Sequence, residues 1–146
     1  MSAVIESFEN DHHRAAVIAL WDAVFAYESP HNRPALSIDK KLAVDDGLFF
    51  VATHGAAVVG TIMAGYDGHR GWIYSLAVAP PHRQQGLGRR LVRHAEGELI
   101  ARGCMKVNLQ IRSGNEAVAE FYQSLGFLVE GTLSMGKIIP ENVPPP

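Results

Sequence analysis

The sequence predicts an α+β domain built on a mostly antiparallel sheet flanked by helices. Three observations carry this. The apolar period changes along the chain, from helical spacing before residue 47, to β-branched and aromatic runs over 48–79, and back to helical spacing from 87. Short turn signals, His54-Gly55 and then residues 67–71, separate the runs and make them a meander of consecutive strands. The chain is 146 residues long, 47% apolar and 19% charged, which suits a single core and excludes general disorder.

Residues 3–8 alternate apolar and polar and read as a first strand. Asn10 or Asp11 can cap the next helix, in which Ala15, Ile18, Trp21, Ala23 and Phe25 form the expected apolar face. Pro30 and Pro34 bracket a loop with His31, Asn32 and Arg33, and residues 37–46 form a second helix ended by Asp45-Asp46-Gly47. Residues 48–53, 57–66 and 72–79 are the three meander strands, the last stopped by Pro80-Pro81. A helix over 87–102 turns Leu91, Val92, Ala95, Leu99 and Ile100 inward and ends at Gly103. A strand over 105–111, a helix over 115–125 closed by Gly126, and weaker strands over 127–130 and 135–139 complete one domain, 1–139. The Pro-rich tail, 140–146, is expected to be irregular. Trp21, Phe25, Phe49, Phe50 and Trp72 are expected in the core.

Thirteen basic against fifteen acidic residues give a formal charge of −2, which argues against a duplex-DNA wrapper. One cysteine, Cys104, excludes a disulfide framework and a CxxC site, and it reads as a buried, inert thiol. No apolar run reaches the roughly 18 residues of a membrane span, and no signal peptide is visible, so a cytoplasmic protein without a membrane partner is expected. His12, His13, His31, His54, His82 and His94 lack metal-ligand spacing, so no metal is expected and they read as surface or turn residues.

The most informative stretch is Arg83-Gln84-Gln85-Gly86-Leu87-Gly88-Arg89-Arg90, between a strand and a strong amphipathic helix. A helix N-terminus offers unpaired N–H groups and partial positive charge, which suits a pyrophosphate. Gly86 and Gly88 allow close backbone approach, and Arg83, Arg89, Arg90 and Arg93 add fixed charge. Taken alone, the stretch equally describes a solvated basic helix face after a glycine turn. It is not a Walker A loop, and Leu91 stands where a dinucleotide fingerprint has its third glycine.

Leu76-Ala77-Val78-Ala79-Pro80, continued by Arg83 to Gly88, resembles motif A of the GNAT acyl-CoA-dependent N-acetyltransferases. Asn115 to Phe127, with Phe121, Tyr122 and Gly126, resembles the motif B helix and its following turn, at the family's distance downstream. The likeness runs from about residue 3 to 139, and residues 65–71 and 100–104 are further similar to the small bacterial YpeA-type branch.

The resemblance implies the GNAT fold, whose sheet splays beside the motif A strand, and acetyl-CoA as co-substrate. Leu76, Ala77 and Val78 would pair through their backbones with the pantetheine arm as an added strand edge. The backbone from Gln84 through Gln85, Gly86, Leu87 and Gly88 to Arg89 would hold the pyrophosphate beside Arg83. Asn115 would contact the cofactor arm, and Tyr122 would lie near the thioester sulfur. For the chemistry, the Val78 N–H is the expected oxyanion donor and Tyr122 the expected acid for the leaving thiolate. Against this, Tyr122 also fits as a core aromatic, and it cannot share a helix face with Phe121.

Some family members place a glutamate base where this chain has Gln110, and an amide takes no proton at neutral pH. The remaining side-chain candidates are Glu28, which is slightly preferred, then Asp67, His69 and Tyr74, and deprotonation through a water is an equal alternative. The expected activity is direct acetyl transfer to a primary amine of a small molecule or a peptide N-terminus. A non-catalytic acyl-CoA sensor or interaction module is the alternative, nucleic-acid binding is not expected, and a homodimer is a guess from the family.

Overall fold

A computed structural model describes residues 2–25 and 29–146. It divides into two compact units, Met1–Leu109 and Gln110–Pro146.

The first unit runs β1 (Val4–Ser7), α1 (Asn10–Val24), α2 (Pro34–Val44), β2 (Phe49–His54), β3 (Ala57–Tyr66), β4 (Gly71–Val78), α3 (Leu87–Ala101) and β5 (Val107–Asn108). The sheet order is β1-β2-β3-β4-β5. The first three pairings are antiparallel, as tight turns allow, and β4–β5 is parallel with α3 as its crossover.

The two faces of the sheet are covered by different helices. On one face Val17, Leu20 and Trp21 of α1 and Ile38 of α2 pack with Phe49, Val51, Met63 and Ala77. Phe49 stacks on Trp21 with centroids 5.9 Å apart, and on Phe8 at 4.1 Å. The other face receives α3 through Leu87, Leu91, Val92, Ala95 and Leu99. Gly60 lets α3 lie this close, because a Cβ there would be 3.0 Å from Leu91 Cδ1.

Several expectations need correction. The buried stripe of α1 is His13, Val17, Leu20 and Trp21, while Ala15 and Ala23 are exposed. Spacings of four, three and one keep the larger side chains on one face, and small alanines do not decide it. Ile100 is 69% exposed. It sits about 140° around the helix from Ala95, at the centre of the buried stripe. α2 starts at Pro34, three residues early, because proline suits the first helical position. Trp72 is 36% exposed, since its partner across the ladder is Gly65, which has no side chain to cover it. His13 is buried: its Nδ1 accepts from the Glu9 N–H, and its Nε2 lies 3.1 Å from Glu6 Oε1.

Residues 105–111 contribute only the two-residue β5, paired at Gly71 and Trp72. The second unit holds α4 (Glu116–Ser124) and a 3-10 turn at Pro140–Asn142. The strands expected over 127–130 and 135–139 are not formed among the described residues. Leu128, Val129, Leu133 and Met135 are exposed there, so the alternation finds no ladder to join. No described helix is long and apolar enough to cross a membrane.

Candidate functional site

β4 is where the sheet opens. Its parallel pairing with β5 stops after Gly71 and Trp72, so from Ile73 to Val78 that edge has no strand partner among the described residues. Its other edge stays on β3, but with an irregularity. Met63 faces Tyr74, yet Thr61 faces Ala77, so Ser75 and Leu76 together oppose Ile62. One extra residue in β4 makes a β-bulge.

The bulge reverses the alternation of β4 in two respects. Ile73, before it, lies on the α3 face with Gly71, whereas Ala77, after it, joins the core under α1. The backbone alternation reverses with the side chains. Before the bulge the Gly71 N–H donates towards β5, to Lys106 O, at 2.9 Å. After it the Ala79 N–H donates towards β3, to Val59 O, at 2.9 Å. Two-residue periodicity then turns the N–H and C=O of Ala77 to β3, and those of Leu76 and Val78 to the open edge. The Val78 carbonyl there accepts from Arg83 Nε at 3.0 Å.

The bulge is held from behind. Ser75 has a φ of 53°, in the left-handed region that a serine adopts at a cost. Its carbonyl accepts from the Thr61 hydroxyl at 2.9 Å, and Thr61 Oγ1 accepts from Trp21 Nε1 at 2.8 Å. Thr61 and Trp21 are both buried. Sequence reasoning placed Trp21 only in the core and passed over Thr61 and Ser75. A threonine in the middle of the apolar run over 57–66 was the signal available.

Beyond β4 the chain turns through Pro80–His82 into the glycine loop. Gln84 (φ 62°) and Gly86 (φ 78°) are left-handed, and Gly86 caps α3 without a side-chain hydrogen bond. The first N–H groups of α3, at Leu87, Gly88 and Arg89, therefore face away from the helix with no intrahelical acceptor. Gln85 and Leu87 line a cavity with Ser2, Ala3, His54, His82 and Arg90. Arg90 is tied to the residue before β1 through a 2.7 Å bond from Nη2 to Ala3 O, and Arg83, Arg89, Arg90 and Arg93 are all exposed. The structure thus joins the strand end, Leu76 to Val78, to the loop from Arg83 to Arg89. Backbone donors, fixed cations and an unpaired strand edge are the set that a pyrophosphate with an amide-bearing arm requires.

In the second unit, Asn115 is exposed just before α4 and makes no side-chain cap bond. Tyr122, two turns further along, is 7% exposed, with the Phe121 ring at 5.0 Å and the Phe127 ring at 5.5 Å, both edge-on. Phe121 is half-buried, and its ring meets that of Tyr122 edge to face. Burial pushes the Tyr122 phenol up to about 12, which keeps it protonated at neutral pH. Gln110 donates through Nε2 to the Ser134 hydroxyl.

Of the base candidates, Glu28 lies outside the described residues. Asp67 is a turn residue: its Oδ1 accepts from the His69 and Arg70 N–H groups, at 2.7 and 2.6 Å. Those bonds hold its carboxyl below the usual value, which makes it a weak base. Tyr74 is exposed on β4 with Lys41 Nζ 5.4 Å from its ring centre. Cys104 is half-buried, its thiol donating to Lys106 O. Among the described residues, no three His, Cys, Asp or Glu side chains gather in a metal-ligating group.

The sequence profile of the Acetyltransferase (GNAT) family matches residues 8–127. An acetyltransferase of Yersinia enterocolitica is 42% identical over 121 residues, 83% of this chain and 85% of the relative. The solved ribosomal-protein-S18-alanine N-acetyltransferase of Escherichia coli is 26% identical with a TM-score of 0.68, over 85% of this chain and 76% of that one. The PaiA N-acetyltransferase of Thermoplasma acidophilum, solved in complex with coenzyme A, has a TM-score of 0.77 over 90% of this chain and 93% of that one. At 17% identity that likeness is one of fold.

Proposed function

The chain belongs to the GNAT acetyltransferase family and is an acyl-CoA-dependent N-acetyltransferase, and from this premise we propose that it transfers acetyl directly to a primary amine of a small molecule or a peptide N-terminus. The observation that carries the proposal is the unpaired edge of β4 leading straight into the loop that opens α3. Acetyl-CoA supplies the activated acetyl group, and the chain's own residues supply position and polarity.

Leu76 and Val78 offer outward-facing backbone groups to the amides of the arm, while Ala77 fills the core behind them with its methyl. Gln84, Gln85, Gly86, Leu87, Gly88 and Arg89 supply the N–H groups for the pyrophosphate, with the Arg83 guanidinium beside Val78. Such fixed placement supplies a large part of the rate gain in acyl transfer, several kcal/mol in favourable cases. The Val78 N–H donates to the oxygen on which negative charge develops. Asn115 contacts the arm, and Tyr122 gives its proton, or a hydrogen bond, to the departing thiolate. With its pKa raised to about 12, above the roughly 8.5 of an ordinary thiol, the phenol favours a hydrogen bond to the thiolate over full proton transfer. Glu28 or a water takes the amine proton, and an α-amine, with a reference pKa of about 8, needs less help than a lysine. The domain doing this spans 1–139, works in the cytoplasm, and uses no metal.

The test is mass spectrometry of products formed from acetyl-CoA and a mixed panel of small amines, amino acids and peptides. One acetylated product class confirms transfer and assigns the acceptor. Acetyl-CoA binding by calorimetry, with no product from any amine and no single-turnover loss of the acetyl group, overturns direct transfer in favour of a sensor.

A further inference from the structure

We propose that Thr61 and Trp21 are positioning residues, forming a one-way buried relay that locks the β4 bulge and thereby sets which amides face the open edge. The proposal rests on the acyl-transfer reading above, and on the chemistry of three groups. An indole N–H can only donate, so the Trp21 bond at 2.8 Å uses the Thr61 oxygen as an acceptor. The hydroxyl hydrogen is then directed onward, and the Ser75 carbonyl 2.9 Å away receives it. Neither Thr61 nor Trp21 has access to water that would substitute for a lost bond.

The far end of the relay is the one residue of β4 with a left-handed backbone, φ 53°. A serine in that region is strained, and an unstrained β4 would continue its alternation unbroken. In an unbroken strand the odd-numbered residues that face the open edge at Gly71 and Ile73 would go on facing it at Ser75 and Ala77. Leu76 and Val78 would turn their amides into the β3 ladder, and the Val78 N–H would be lost to the site. The bulge therefore has a direct chemical meaning, and it is the Thr61 hydroxyl that hydrogen-bonds to it. Neither Thr61 nor Trp21 touches the open edge itself, because both act from the α1 face.

The test compares Thr61→Val, which keeps the shape but not the hydroxyl, with Thr61→Ser, which keeps the hydroxyl. A third protein combines Thr61→Val with Ser75→Gly, since glycine holds a positive φ without support. Two readouts are taken well below each melting temperature: kcat and KM on an acceptor identified by the product screen, and deuterium uptake over residues 73–79 without ligand. Thr61→Val is expected to raise uptake over 73–79 and to lower kcat on the order of ten- to a hundredfold, the scale of a misplaced reacting group. Thr61→Ser and the double variant are expected to return kcat to within about threefold of the unaltered protein, on the same scale. Should Thr61→Val not fold, Trp21→Phe removes the N–H that orients the hydroxyl and is expected to raise the same uptake.

Unchanged uptake with unchanged kcat in Thr61→Val overturns the proposal. So does a loss of melting temperature alone, with kcat per folded molecule preserved. If the unaltered protein neither binds acetyl-CoA nor transfers acetyl, the acyl-transfer reading fails, and deuterium uptake still decides whether the relay holds the bulge.

Discussion

Tyr122 is a polar group in an apolar place. Its phenol is buried against Phe121 and Phe127, and its pKa rises to about 12 for that reason alone. Replacing Tyr122 with phenylalanine keeps the ring packing and removes the proton, so kcat at saturating substrates is expected to fall about a hundredfold, the usual scale of general acid catalysis. Unchanged turnover would remove Tyr122 from the mechanism. The same group predicts a stability profile. A phenol titrating higher when folded than its unfolded value of about 10 contributes stability that is intact below that pH and is lost as the pH rises towards 12. Melting curves from pH 9 to 12 are therefore expected to fall more steeply for the unaltered protein than for Tyr122→Phe, by about 2 kcal/mol across the window.

Lys41 is a second residue whose surroundings fix its role. Its ammonium is buried, donating to the Ala64 carbonyl and to Asp46 Oδ2 at 2.8 Å. It ties the end of α2 to β3. Lys41→Met retains most of the packing but leaves the Ala64 carbonyl without its donor, and urea unfolding is expected to show a loss of about 1–3 kcal/mol.

At the scale of elements, the joint of β4, β5 and α3 has little spare room. A Cβ on Gly71 would lie 2.7 Å from Cys104 Sγ and 3.0 Å from Leu99 Cδ1. Gly71→Ala is expected to cost about 1–3 kcal/mol as overpacking, and adding Cys104→Ala is expected to recover part of it, because one of the two clashes disappears. Equal melting temperatures for the two variants would contradict this account. The elements legible in the sequence were those with a strong local signal. The strand over 57–66 coincides with β3, and α3 starts where Gly86 and its loop mark it. Misplaced elements were those fixed by something not local. The strand over 105–111 is reduced to Val107–Asn108 because only these residues find ladder partners, at Gly71 and Trp72, which no pattern within the segment encodes. The phosphate-type loop was readable because Gly86 carries a positive φ just before an amphipathic helix, a conformation that glycine accepts most readily. The bulge was not readable, because a serine occupies its left-handed position and its support comes from Thr61 and Trp21, fourteen and fifty-four positions back in the chain.

For the whole molecule, charge is distributed to favour an anionic ligand despite a net −2. Arg83, Arg89, Arg90 and Arg93 gather in one loop and the first two turns of α3, and most of their side chains are exposed. Exposed charges are screened by salt over about 8–10 Å at ordinary ionic strength. Acetyl-CoA affinity is therefore expected to weaken several-fold between 50 and 500 mM salt in calorimetry, whereas affinity for a truncated pantetheine thioester, which lacks the phosphates, stays flat. Equal salt dependence for both ligands would separate the loop from phosphate binding.

The unpaired edge of β4 has one more consequence, for handling the protein. A strand edge without a partner is a template for any other extended chain, and sheets that expose one are prone to pair with each other. Between Ile73 and Val78 the sequence around that edge is apolar apart from Tyr74 and Ser75, with no lysine or proline to discourage such pairing. The protein without ligand is therefore expected to self-associate on storage more than the protein kept with coenzyme A, a difference that light scattering of the two samples checks.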